Sequence, residues 1–158
     1  MASTTFSGPV TSTNGFIGNL IGNVAGTVTG LAAVTTLTAL STLTAAQSGR
    51  TFFLNSATEF VTTLPAPAAG LVYTFIVGAA PSGASYTIVT NASANIIKGQ
   101  AVNAAGAAGD TGTADDTISF VDAQAVAGDS VTVISDGTSW FAYGMCAVAA
   151  GITFTQAS

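Results

Sequence analysis

Seven acids, two cations, one thiol and three tyrosines are the only titratable side chains in this 158-residue chain, and histidine is absent. The commonest general base and the commonest metal ligand are therefore missing together. Asp110-Thr111-Gly112 has the Asp-Thr-Gly order of the aspartic-protease tripeptide, with Asp115 and Asp116 close behind. Those enzymes hold two carboxylates against each other on tightly packed loops so that they share a proton. Here the tripeptide follows the small residues Ala107-Ala108-Gly109 and occurs once. The same three acids could face calcium, a cation that takes about six to eight oxygens, but they lack the D-x-D-x-D-G order of a calcium loop. Solvation of an exposed loop is the simpler role for them.

Other candidates fare no better. Glu59 and the aspartates include no motif that sets two carboxyls across a sugar cleft. Gly99, Gly106 and Gly109 lack the GK[ST] ending of a phosphate loop. Cys146 sits among Met145, Ala147 and Val148, so a small buried hydrophobe is expected rather than a reactive thiol. Trp140, Tyr143 and Tyr73 could stack on a sugar, yet each falls in a strand pattern that favours the core. The sequence points away from an enzyme and calls for no metal or cofactor.

Charge narrows the partners. Net charge is −5, with Arg50 and Lys98 the only cations, and nucleic-acid affinity is built from Lys and Arg displacing counterions. Neither nucleic acid nor an anionic membrane is expected to bind. The isoelectric point near 4.1 keeps a weakly charged chain soluble by self-repulsion. Mean hydropathy is +0.61, and residues 15–40 would attract a membrane reading, but Asn19, Asn23 and many threonines interrupt them and no cation orients them. Met1-Ala2-Ser3-Thr4-Thr5 offers no cationic start for a secretory signal. An unbridged thiol fits assembly in a reducing cytoplasm.

Charged residues make up 6% of the chain, while Ala, Thr and Gly supply 30, 25 and 18 residues. Within that background, residues 1–46 and 47–158 read differently. Gly18, Gly22, Gly26 and Gly30 recur every four residues, and Leu31, Val34, Leu37, Leu40 and Leu43 every three. A spacing of three drifts around a helix, and the interleaved β-branched threonines disfavour one. We read residues 1–46 as an extended arm. A Gly/Thr linker or a small-xxx-small helix contact are the alternatives. An extended arm cannot bury apolar side chains alone, so Phe6, Val10, Phe16, Ile17, Leu20, Ile21, Val24, Val28, Leu31, Val34, Leu37, Leu40 and Leu43 are the expected contacts to a neighbouring protein or subunit.

Residues 47–158 carry β-rich runs punctuated by Gly, Pro, Asn and Asp. Strands are expected over 51–54, 59–64, 71–77, 85–90, 117–121, 130–135, 139–144 and 152–155, giving an all-β, sandwich or jelly-roll-like body. Pro65-Ala66-Pro67 reads as a turn and Asp136-Gly137 as a hairpin. Leu71, Tyr73, Phe75 and Val77 alternate with Val72, Thr74 and Ile76, as in a central strand. Residues 99–116 read as a long small-residue loop. Phe52, Phe60, Phe75, Ile88, Phe120, Val133, Trp140 and Phe141 are the expected core.

The run from Thr5 through Phe6-Ser7-Gly8-Pro9-Val10 to Gly18, with the GN-x-x-G repeats after it, resembles the N-terminal arm of tailed-bacteriophage virion proteins. Ser48-Gly49-Arg50-Thr51-Phe52-Phe53-Leu54, Thr63-Leu64-Pro65-Ala66-Pro67 and Tyr73-Thr74-Phe75-Ile76-Val77 are similar to the β-domain of small phage capsid decoration, or cement, proteins. The resemblance covers about two thirds of the chain, and related segments occur in fibre and tail proteins. It implies a homotrimer on the outer capsid surface that contacts the major capsid protein, clamps the expanded shell and is assembled in the host cytoplasm. It carries no catalytic residue. A head-fibre or tail adhesin that binds a host-surface glycan is the alternative.

Overall fold

A computed structural model describes residues 34–56, 58, 60–104 and 108–156. The described residues are all-β, with twelve strands among them: β1 (Val34–Leu37), β2 (Ser41–Thr42), β3 (Arg50–Leu54), β4 (Val61–Thr63), β5 (Val72–Val77), β6 (Tyr86–Val89), β7 (Ile97–Asn103), β8 (Ala108–Asp115), β9 (Thr117–Phe120), β10 (Ser130–Ser135), β11 (Trp140–Cys146) and β12 (Ile152–Thr155). They form two mixed sheets packed face to face. One is seven-stranded in the order β1-β3-β5-β10-β11-β7-β8, the other five-stranded in the order β12-β9-β6-β4-β2.

The first six strands alternate between the sheets. β1, β3 and β5 stack in parallel in one, and β2, β4 and β6 stack in parallel in the other. The chain thus winds through three coil-like rungs before the remaining strands, joined in part by antiparallel hairpins, complete both sheets. A jelly roll would be built from two Greek keys, so these parallel rungs depart from that expectation within the all-β class.

Alternation fixes which side chains face inward. In β5, Tyr73, Phe75 and Val77 are buried while Val72, Thr74 and Ile76 point outward, and the strand is central, between β3 and β10. Phe52, Leu54, Tyr73, Phe75, Val133 and Trp140 from the large sheet meet Tyr86, Ile88, Ile118, Phe120 and Ile152 from the small one. Phe52 stacks on Phe75 at 5.6 Å between ring centroids, and Trp140 lies 5.8 Å from Tyr73. Burying each such side chain is worth about 1.5–3 kcal/mol. Seven of the eight core residues expected from sequence are buried. Phe141 is the exception: it follows inward Trp140 on the same strand, so it faces out.

The expected loop at 99–116 is instead the β7–β8 pair, antiparallel with two register irregularities. Gly99 and Gly112 permit close contact with neighbouring strands. A Cβ on Gly112 would come within 3.0 Å of the Phe154 ring. At Asp136-Gly137 the expected hairpin joins β10 to β11, with Gly137 at φ 104°.

Residues 34–46 are woven into both sheets. The apolar spacing of three is odd, so successive members of an extended chain fall on opposite faces. Val34 points out at 63% exposure, Leu37 packs on the core, Leu40 stands at the corner at 73%, and Leu43 is buried at 2%. Tyr73 Oη donates to the Thr44 carbonyl at 3.0 Å, fastening this segment to the core.

Candidate functional site

The outward face of the seven-stranded sheet is built by the alternate residues that the core leaves over. Strand register aligns them in rows. Thr51, Thr74, Thr132, Tyr143 and Gln100 lie side by side across β3, β5, β10, β11 and β7. The Thr74 and Thr132 hydroxyls are hydrogen-bonded at 3.0 Å. One flanking row is Phe53, Ile76, Ser130, Met145 and Val102, and the other is Val72, Ile134, Phe141 and Lys98. A band of hydroxyl and amide groups therefore runs between two largely apolar bands.

Met145 is 67% exposed and Tyr143 57%, although both belong to a strand paired on each side. A depression of about 270 Å³ lies around them, walled by Thr132 and Gln100. A second, of about 260 Å³, continues past Val102 and Met145 toward Val126. The lone cation of the face, Lys98 Nζ, rests 5.8 Å from the Phe141 ring centroid, close enough for a cation–π contact.

The acids lie elsewhere, and the backbone uses them. Asp110 sits in β8, where its carboxylate accepts from the Phe154 N–H at 2.8 Å. Asp115 accepts from Thr113 N–H at 3.0 Å, and Asp116, 1% exposed, from the Thr117 hydroxyl at 2.8 Å. The Asp-Thr-Gly tripeptide therefore helps to join the β8 edge to β12, a junction to which Gln156 adds a bond from Nε2 to the Ala114 carbonyl. Asp122 accepts from Gly83 N–H, and Asp129 from Val126 and Ala147 N–H. Asp136 accepts from Thr138 and Ser139 N–H, and those bonds, the Ser139 one foremost, hold its carboxyl below its ordinary value of 3.8. Among the described residues no cluster of three acids or thiols is placed to hold a metal ion.

Cys146 is buried, and burial pushes its thiol up from its ordinary value, with the nearby Asp129 charge adding to the shift. Desolvation also raises the Tyr73 phenol. Both changes disfavour the nucleophilic anion.

Of the arm contacts expected from sequence, Phe6, Val10, Phe16, Ile17, Leu20, Ile21, Val24, Val28 and Leu31 lie outside the described residues. Val34, in β1, and Leu40, just before β2, are exposed at the strands that end the two sheet orders among the described residues, while Leu43 belongs to the core. The outward residues Tyr143, Met145, Ile134 and Val102 were not singled out as a surface from sequence. Their signal was strand alternation, which names two faces and leaves open which one is buried. No family model, curated protein or solved structure matches the chain.

Proposed function

We propose that the chain is a structural protein of a phage virion, a decoration protein that binds the outer surface of the head and stabilises the expanded capsid. Residues 1–46 engage the major capsid protein and neighbouring subunits, and copies assemble as a homotrimer. The observation that carries this reading is that β1 and β2 end the strand orders of the two sheets among the described residues, with Val34 and Leu40 exposed there. An unpaired strand edge is a template for a strand from another chain. The acids engaged by local backbone, and the thiol held neutral, fit a passive mechanical role. Many copies, each binding a preformed lattice, would stabilise it by mass action.

Cosedimentation of the full chain with expanded and unexpanded heads tests it. Saturation at a fixed ratio to the major capsid protein on expanded heads alone is the expected result, and failure to bind either form would refute it. A second reading, an adhesin for a host-surface glycan, draws on exposed Tyr143 with Gln100 and Thr132 as cross-strand neighbours. Saturable binding of host polysaccharide would favour that one.

A further inference from the structure

We infer that the outward face of the seven-stranded sheet is the surface on which copies of this chain meet. The inference rests on the reading of the chain as a self-assembling structural protein and names the surface that assembly uses.

Charge placement selects the occupant. A chain of net charge −5 repels its own copies, so two of them can approach closely only where the acids are not. The six described aspartates all lie in loops, turns or the β8–β12 junction, with carboxylates turned to local N–H or hydroxyl donors. None occupies an outward position on β3, β5, β10, β11 or β7. Set against a neighbouring copy, this surface brings threonine rows and apolar rows to the contact without an acid of its own. Lys98, at the margin and over Phe141, is the only cation on it.

Area is consistent with the same occupant. Five strands at about 4.8 Å spacing and about 3.3 Å per residue present on the order of 500 Å² in projection. A stable interface takes about 800 Å² of accessible surface from each partner, which rises and falls over side chains and so exceeds its projection. Tyr143 and Met145 stand at the centre of such a contact, an aromatic and a thioether of the kinds enriched in interface cores. A glycan would occupy only the neighbourhood of Tyr143 and leave the Phe53–Ile76 and Val72–Ile134 stretches bare.

The experiment is sedimentation equilibrium on the purified full chain from about 1 to 100 μM, without heads. Wild type is expected to sediment as an oligomer. Met145→Glu and, independently, Ile134→Glu each place an acid on an exposed outward position, and each is expected to raise the dissociation constant at least tenfold. Their circular dichroism should stay that of the wild type. Val148→Glu, as exposed as Ile134 but on the loop after β11, should leave the oligomer intact. A monomeric wild type throughout this range would overturn the proposal. So would both face variants remaining as associated as wild type, or Val148→Glu dissociating as fully as they do. An oligomer that ignores heads would refute the decoration reading and leave this surface standing.

Discussion

Gly99 and Ala142 oppose each other across the parallel β7–β11 pair so closely that a Cβ on Gly99 would stand 2.0 Å from the Ala142 carbonyl oxygen. The contact is with backbone, which cannot swing aside as a side-chain tip would. Gly99→Ala is therefore expected to cost about 1–3 kcal/mol or more through forced strand separation. Gly144→Ala, whose Cβ would meet the Ala101 side chain at 3.1 Å, should cost less. Urea denaturation midpoints of the two variants give the comparison, and equal midpoints would refute the close-approach account.

Leu43 and Thr44 tie residues 34–46 into the folded body. Removing residues 1–33 keeps β1, β2 and the Tyr73–Thr44 hydrogen bond and serves as the reference. Removing residues 1–46 strips β1, β2 and Leu43, whose truncation alone is worth about 2–5 kcal/mol. A thermal melt of the two truncations decides. If the shorter chain melts with the longer one, residues 34–46 contribute nothing to the core.

Leu40 and Leu43 differ in burial, 73% against 2% exposed, although they hold equivalent places in the repeat. Leu40→Ala should lie within about 0.5 kcal/mol of wild type, as surface changes do, while Leu43→Ala should cost about 2–5 kcal/mol. Chemical denaturation of the isolated protein measures both. In the head-binding assay the order should reverse, with Leu40→Ala the more damaging, because its side chain is the one free to meet a partner.

Asp136 ties the β10–β11 turn through its ionised form. Its folded value is lowered, so its contribution is fully present above its ordinary value of 3.8 and is lost as pH falls through the lower folded one. Asp136→Ala should therefore melt below wild type at neutral pH, with the gap closing as pH drops beneath that window. Melting curves from pH 7 to about 2 trace it. A gap that stays constant with pH would assign the loss to packing rather than to the carboxylate.

Most of the body was legible because its strands alternate cleanly. Tyr73, Phe75 and Val77 announce an inward face, and Asp136-Gly137 announces a turn. Where the chain relies on closeness instead of bulk, the same code fails. Gly99 and Gly112 lie in strands because only a missing Cβ fits there, and composition alone makes them look like loop. The leucine spacing of three was visible, but its meaning needed the corner between β1 and β2, which sends Leu37 and Leu43 inward from different sheets. The outward face was hidden for another reason. Alternation gives Trp140 and Phe141 opposite directions, and both are large and apolar, so only the second sheet decides which is covered.

The three parallel rungs also set an order of events during synthesis. Val34 pairs with Thr51, Arg50 with Tyr73, and Val61 with Thr87, so each rung closes on one emerging soon after it. The far side of β5 must wait for Ser130–Ser135. A nascent chain can thus wind its rungs from the N-terminal side while one long edge stays bare, and pairing over such a distance is the slow step. Pulse-labelled hydrogen exchange during refolding should protect Thr51–Leu54 amides before those of β10. Emergence of β10, rather than the start of winding, would then close the window in which that edge can capture a wrong strand.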